Sequence, residues 1–299
     1  MLATIDFTGS TLTLTLGANE KVVVSNPGEN QVRFNVTPYS PAGSGSGGLT
    51  VIGGGTLISV GATLTVGGAL VAPTAGVTSV TGAPLGFSVV GYATDTTGTL
   101  PAAVSLVIKG AGGSAQAVDF QQSSNGAFVT ASRISVDLGN DANDDVTFFG
   151  PIDRTGVVSG DALRIVGVDD VLVNQPLGFR GGNVVINASA TSTSSIGLNA
   201  GISATSGDVT LVSRSTIAIK GSIVTAGAVR ATTTRNIQVT ASITGGSDGV
   251  TLRANQQPTP TAESFIGIDV SGATITTTGD GDIALYGRGG VSALQLGGD

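Results

Sequence analysis

The sequence predicts an all-β chain whose second half winds into a parallel β-helix, on three observations. Aliphatic residues recur in pairs spaced by two, the period of a strand with one face buried. A fifth apolar residue follows each second pair at a spacing of four: Ile134, Val136, Val146, Phe148, Ile152; Leu163, Ile165, Val171, Val173, Leu177; and Val184, Ile186, Ile196, Leu198, Ile202. Two further units read Val209, Leu211, Ile217, Ile219, Ile223 and Val229, Ala231, Ile237, Val239, Ile243. The unit recurs about every 20 to 25 residues, within the range of solenoid repeats.

Between the first pair and the second the spacing varies from six to ten, whereas the spacing of four is constant. One corner of the coil is therefore fixed and another tolerates insertions. Helical solenoids are excluded, because no window shows i, i+3, i+4, i+7 apolar spacing free of Gly and Thr. Two or three short strands per turn, stacked in parallel, fit the pattern. The regular region is read as residues 132–299. It includes a unit at Val250, Leu252, Ile266 and Ile268 interrupted by "ANQQPTPTAES", whose Pro258 and Pro260 mark an exposed loop. Residues 1–131 are β-rich but irregular, with strands in "STLTLTL", "KVVVSN" and "VRFNV" and a flexible "SPAGSGSGG". They form a modified cap, with coils beginning early in a stretch such as Gly47–Gly68, or a small β-sandwich.

Composition narrows the chemistry. The 299 residues contain 47 Gly and no His, Cys or Trp, which removes thiol nucleophiles, Ser-His-Asp triads and the usual zinc ligands. A formal charge of −7 argues against nucleic acid as a partner, since a polyanion needs a basic face. Mean hydropathy is +0.35, yet no stretch approaches the roughly 18 uninterrupted apolar residues of a spanning helix, so no membrane insertion is expected. "MLATIDFTGS" has neither a basic nor an apolar leader segment. The Gly/Thr/Ser/Asn-rich composition favours an exported protein, extracellular or at the cell surface, with its leader absent or removed.

The local anomaly is "DLGNDANDD". Asp137, Asn140, Asp141, Asn143, Asp144 and Asp145 offer the carboxylate and amide oxygens that a hard cation such as calcium takes. The alternative is a solvated turn, since Asn and Asp tolerate left-handed backbone. No other cofactor is indicated. Outward rows read between the inward residues are Arg164, Val185, Thr210, Arg230, Thr251 on the first strand and Leu172, Gly197, Ala218, Gln238 on the second. Neither row sets two carboxylates beside a base, so the chain is read as non-enzymatic. Asn174 and Asn199 suit an amide ladder. The small, uncharged second row suits packing against another subunit or cover by long turns.

"GDVTLVSRSTIAIKGSIVTAG" and "AVRATTTRNIQVTASITGG" resemble the coils of filamentous-haemagglutinin-type exoproteins and other bacterial β-strand-repeat surface proteins, over about the C-terminal half. The resemblance implies export, a right-handed parallel β-helix, and roles in adhesion, matrix or surface coating. The secretion domain of that family carries an N-P-N-G motif; here "SNPGEN" stands at Ser25–Asn30. The expectation is a secreted structural protein that polymerises end to end by strand pairing, with N-terminal strands such as "TIDFTGSTLTLTL" completing the last coil of the next subunit. An adhesin fragment binding a glycan or cell surface is the alternative, and a carbohydrate-active β-helix enzyme the third.

Overall fold

The structure is a computed structural model that describes residues 3–8, 11–25, 33–38, 49–53, 63–66, 69–71, 76–80, 87–90, 105–110, 112–121, 133–154 and 158–290. "SPAGSGSGG", most of "SNPGEN" and the terminal "LQLGGD" lie outside these residues. Every element described is a β-strand. From Arg133 onward the chain repeats one cycle: a strand in a first sheet, a strand in a second, and a three-residue strand in a third. The coil of "GDVTLVSRSTIAIKGSIVTAG" shows the pattern, with Val209–Ser213, Thr216–Ile219 and Ile223–Thr225. Each strand pairs in parallel with the equivalent strands one coil below and one coil above, for example Val184↔Val209↔Val229 in the first sheet and Ile202↔Ile223↔Ile243 in the third. This is a parallel β-helix. Seven first-sheet strands from Arg133–Asp137 to Ile283–Gly287 stack at about 4.8 Å each, giving about 30 Å of rod.

All twenty-five apolar positions of the five units between Ile134 and Ile243 point inward and are at most 1% exposed. The alternation is the cause: a period of two places every second side chain on one face, and three sheets folded around an axis turn that face into a common core. Inside, like stacks on like. Phe120 and Phe148 lie in adjacent coils with ring centroids 4.8 Å apart and planes 6° from parallel.

The constant spacing of four has a hydrogen-bonding origin. At the corner between the second and third sheets, two consecutive amides donate to one carbonyl of the coil below: Lys220 and Gly221 to Leu198, Asn199 and Ala200 to Val173, Phe149 and Gly150 to Phe120. An added residue would break this pairing in its own coil and in the next. The chain also runs so close to its neighbour here that a Cβ on Gly221 would meet the Ala200 backbone, and one on Gly246, at the return to the first sheet, would meet the Ala226 carbonyl. The corner between the first and second sheets carries no such constraint and takes the insertions.

The unit after Val250 departs from the expected register. Ile237 pairs with Ile268 and Val239 with Val270, so the second inward pair is Ile268 and Val270, not Ile266 and Ile268, and Ile266 is 64% exposed. The long insertion allowed either I-x-I frame locally, and the ladder to the coil below selects one.

Parallel stacking extends back beyond Arg133. Ser105–Lys109 and Ala117–Phe120 continue the first and second sheets, and below them lie Thr11–Thr15 and Glu20–Ser25. At that level the direction of pairing reverses. Ala3–Thr8 runs antiparallel to Thr11–Thr15, and Arg33–Pro38 antiparallel to Glu20–Ser25. Residues 47–68, read above as coil-forming, supply Leu49–Gly53, which is parallel to Ala3–Thr8 but antiparallel to Gly76–Val80. They also supply Thr63–Val66, antiparallel to both Ala69–Val71 and Phe87–Val90.

Gly246→Ala is expected to destabilise the protein by about 1–3 kcal/mol, because the intruding methyl meets backbone that cannot rotate away. Ile217→Ala, which empties a core position, is expected to cost about 2–5 kcal/mol. The exposed Thr240→Ala should stay within about 0.5 kcal/mol of the parent in the same urea titration.

Candidate functional site

The acidic turn closes the corner between the first and second sheets. Asn140 and Asn143 adopt left-handed backbone, with φ of 70° and 63°, as a turn requires. Asp141 accepts the amide of Gly113 from the coil below. Asp144 is fully buried, and its two oxygens accept the amides of Gln116 and Asp141, both at 2.9 Å. Asp137 ends the preceding strand, exposed, and Asp145 opens the following one, in register with Asp170. Among the described residues no group of three or more acidic side chains converges on a single metal-sized point. The structure brings Asp141, Asp144 and Asp145 into electrostatic contact and engages the first two with backbone amides.

Asp144 belongs to a larger arrangement absent from the sequence reading. At or immediately before the start of successive second-sheet strands stand Glu20, Gln116, Asp144, Asp169 and Ser194, and they stack in one column. Glu20, Gln116, Asp144 and Ser194 are at most 2% exposed. Three of them accept the amide three residues earlier in their own turn: Glu20 from Gly17 at 2.6 Å, Asp144 from Asp141, and Ser194 from Thr191 at 2.7 Å. The others tie coils together. Gln116 donates its side-chain amide to the Gly17 carbonyl at 2.6 Å, and Asp169 accepts from the Asn143 amide and the Ser194 hydroxyl at 3.2 and 2.7 Å. Backbone groups at a buried corner must find partners, and this column supplies them where strand pairing stops. The signal lay in "EKVVV", "QAVDF", "DDVTF", "DDVLV" and "SSIGL": each opens with a polar residue two positions ahead of the first inward aliphatic of the strand.

The outer face of the second sheet carries the two rows that follow. In one, Asp145, Asp170, Ser195 and Thr216 stack, and Asp170 accepts both the amide and the hydroxyl of Ser195, at 2.8 and 2.7 Å. Two carboxylates thus meet in adjacent coils, one position ahead of the row read from sequence. In the other, Leu172, Gly197 and Ala218 line a shallow open concavity of about 340 Å³, and Leu172 is 37% exposed, so no described turn covers it. Beside it the amide ladder is present: Asn199 donates to Asn174 Oδ1 at 2.8 Å.

The chain matches no family model, no curated protein and no solved structure.

Burial pushes the Asp144 carboxyl up from its ordinary 3.8 to about 7; the charges of Asp141 and Asp145 add to the rise and the two amide hydrogen bonds oppose it. Because the folded state holds this proton more tightly than the unfolded chain, the stabilisation is fully present below about pH 4 and is lost as pH rises through about 7. Within that window the slope from this group is at most about 1.4 kcal/mol per pH unit. Asp144→Asn is expected to flatten the pH dependence of urea midpoints between pH 4.5 and 7.5, and an unchanged slope would show that Asp144 does not set it.

Proposed function

We propose that the protein is an extracellular or cell-surface structural module that extends by stacking copies of itself end to end. One observation carries this reading. Ile268–Val270, Ile275–Thr277 and Ile283–Gly287 are the last strands of the three sheets among the described residues, and they leave core-type side chains uncovered. Ile283 and Leu285 are 46% and 45% exposed, whereas Val250 and Leu252, their counterparts one coil below, are fully buried. Such a rim combines apolar side chains with a strand edge that no described strand covers, the combination that strand addition uses.

A second copy suits the rim because its outline is that of the coil itself. The donor strands differ from those expected from sequence. Ala3–Thr8 and Thr11–Thr15 are already paired within their own chain, the former with Leu49–Gly53 and the latter with Ser105–Lys109. Among the described residues, the strands that end the first and second sheets on the opposite side are Gly76–Val80 and Arg33–Pro38. A contact from rim to cap is heterologous and propagates into an open filament. The alternative of a glycan-binding adhesin module draws its support from a groove on the side of the rod.

Electron microscopy of the purified protein in negative stain tests the reading, with fibres of one-subunit axial repeat expected. Leu285→Lys combined with Ile283→Asp should leave the circular dichroism spectrum unchanged and abolish the fibres. Isolated short rods at high concentration would overturn end-to-end stacking and point to cover of the rim by other segments of the chain.

A further inference from the structure

The long insertion that interrupts the last full coil is a built wall rather than a slack loop. Asn255, buried and left-handed with φ of 57°, accepts the Thr261 amide at 2.6 Å and the Gln257 side-chain amide at 2.9 Å through its Oδ1. Gln257 and Thr261 then both donate to the Thr234 carbonyl of the coil below, at 3.0 and 2.9 Å. Between this wall and the end of the first sheet lies a groove of about 490 Å³.

The groove is basic in an acidic protein. Arg214 and Arg253 line it, and no Asp or Glu does, although the chain carries 20 acidic residues against 13 basic. Four other basic side chains, Lys21, Arg164, Arg230 and Arg235, are paired with carboxylates, whereas neither groove arginine forms a salt bridge among the described residues. The Arg253 guanidinium is held over the Tyr286 ring, 4.6 Å from its centroid, which limits its rotamers while leaving its edge free to donate. Beside the apolar Val212, the lining carries amide and hydroxyl groups from Gln256, Thr232, Ser189 and Asn187. The Asn187 Oδ1 is buried with no hydrogen-bond partner among the described residues, and Asn187 lines the groove.

We propose that this groove binds an acidic saccharide, with Arg214 and Arg253 taking the carboxylate or sulfate and the amide and hydroxyl groups taking the sugar hydroxyls. Two guanidinium forks suit a planar or tetrahedral anion. An acceptor-bearing amide suits a ligand that also donates, which a bare phosphate or a polycarboxylate lacking hydroxyls does not. Nucleic acid fits less well, because among the described residues no aromatic ring lines the groove to stack a base. The groove lies on the flank of the rod, so this inference stands apart from end-to-end stacking.

The test is isothermal titration of the whole chain with an oligogalacturonate, a neutral oligogalactoside of equal length, polyglutamate and single-stranded DNA. The oligogalacturonate alone is expected to bind. Arg214→Gln and Arg253→Gln should each weaken it at least about tenfold, the loss expected for a hydrogen bond to a charged group. Arg214→Lys, which keeps the charge but not the fork, should fall between Arg214→Gln and the parent. Both arginines are exposed, and an unchanged dichroism spectrum separates lost binding from lost fold. Equal binding of the neutral sugar, of polyglutamate or of DNA would overturn the assignment, as would oligogalacturonate binding indifferent to both arginines or no binding at all.

Discussion

Everything in this molecule depends on the in-register hydrogen-bond ladder between consecutive coils. A single coil of short strands has no partner for its backbone within itself, so each coil is stable only against the ones beside it. The ladder in turn dictates the outline. Because Val209 must lie over Val184 and Ile223 over Ile202, each coil from Arg133 to Thr277 repeats the same three straight segments and the same corner between the second and third sheets. Five inward side chains per coil, the paired amides that share one carbonyl at the second corner, and the small residues where chains nearly touch are all consequences of one path laid on top of another. Variation is admitted only where the path leaves the ladder.

That constraint explains how much of the fold was legible in the sequence. The inward residues from Ile134 to Ile243 could be read because burial on one face of a strand imposes a period of two, and the shared corner fixes the distance from Phe148 to Ile152 as it does from Ile219 to Ile223. The frame failed at Ile266. An insertion had broken the spacing there, and I-x-I-x-V reads equally well from either isoleucine until the pairing with Ile237 is known. The residues before Arg133 were opaque for a related reason. Antiparallel partners follow each other directly in sequence, so no coil-length period survives where Ala3–Thr8 meets Thr11–Thr15.

The candidate sites were less legible than the core. Adjacent Asp144 and Asp145 look alike on paper, but the strand that starts at Asp145 turns one inward and the other outward. Asp144 thereby joins Glu20 and Gln116 in a column assembled from three separate turns. Arg214 and Arg253 belong to different coils, and what makes them one groove is the folded insertion beside them, whose geometry rests on Asn255, Gln257 and Thr261 together. Periodicity reports which way a side chain points within its own coil. It carries little about what stands beside it two coils away.

The reversal of strand direction near residues 3–38 also bears on the order of events in folding. Strand partners in the coils sit about one coil apart along the chain, so adding each new coil closes a loop of roughly constant, modest length, and the entropic cost of growth does not rise as the rod lengthens. The expensive event is the first stack, as in any one-dimensional cooperative array. Among the described residues the antiparallel pairs of Ala3–Thr8 with Thr11–Thr15 and Glu20–Ser25 with Arg33–Pro38 are the most local pairings of strands of five or more residues, and they precede the coils along the chain. They are therefore a natural nucleus, on which later coils condense one at a time in the direction of synthesis. A growing rod of this kind has one active end throughout, and its intermediates are shorter versions of the finished protein rather than differently folded states.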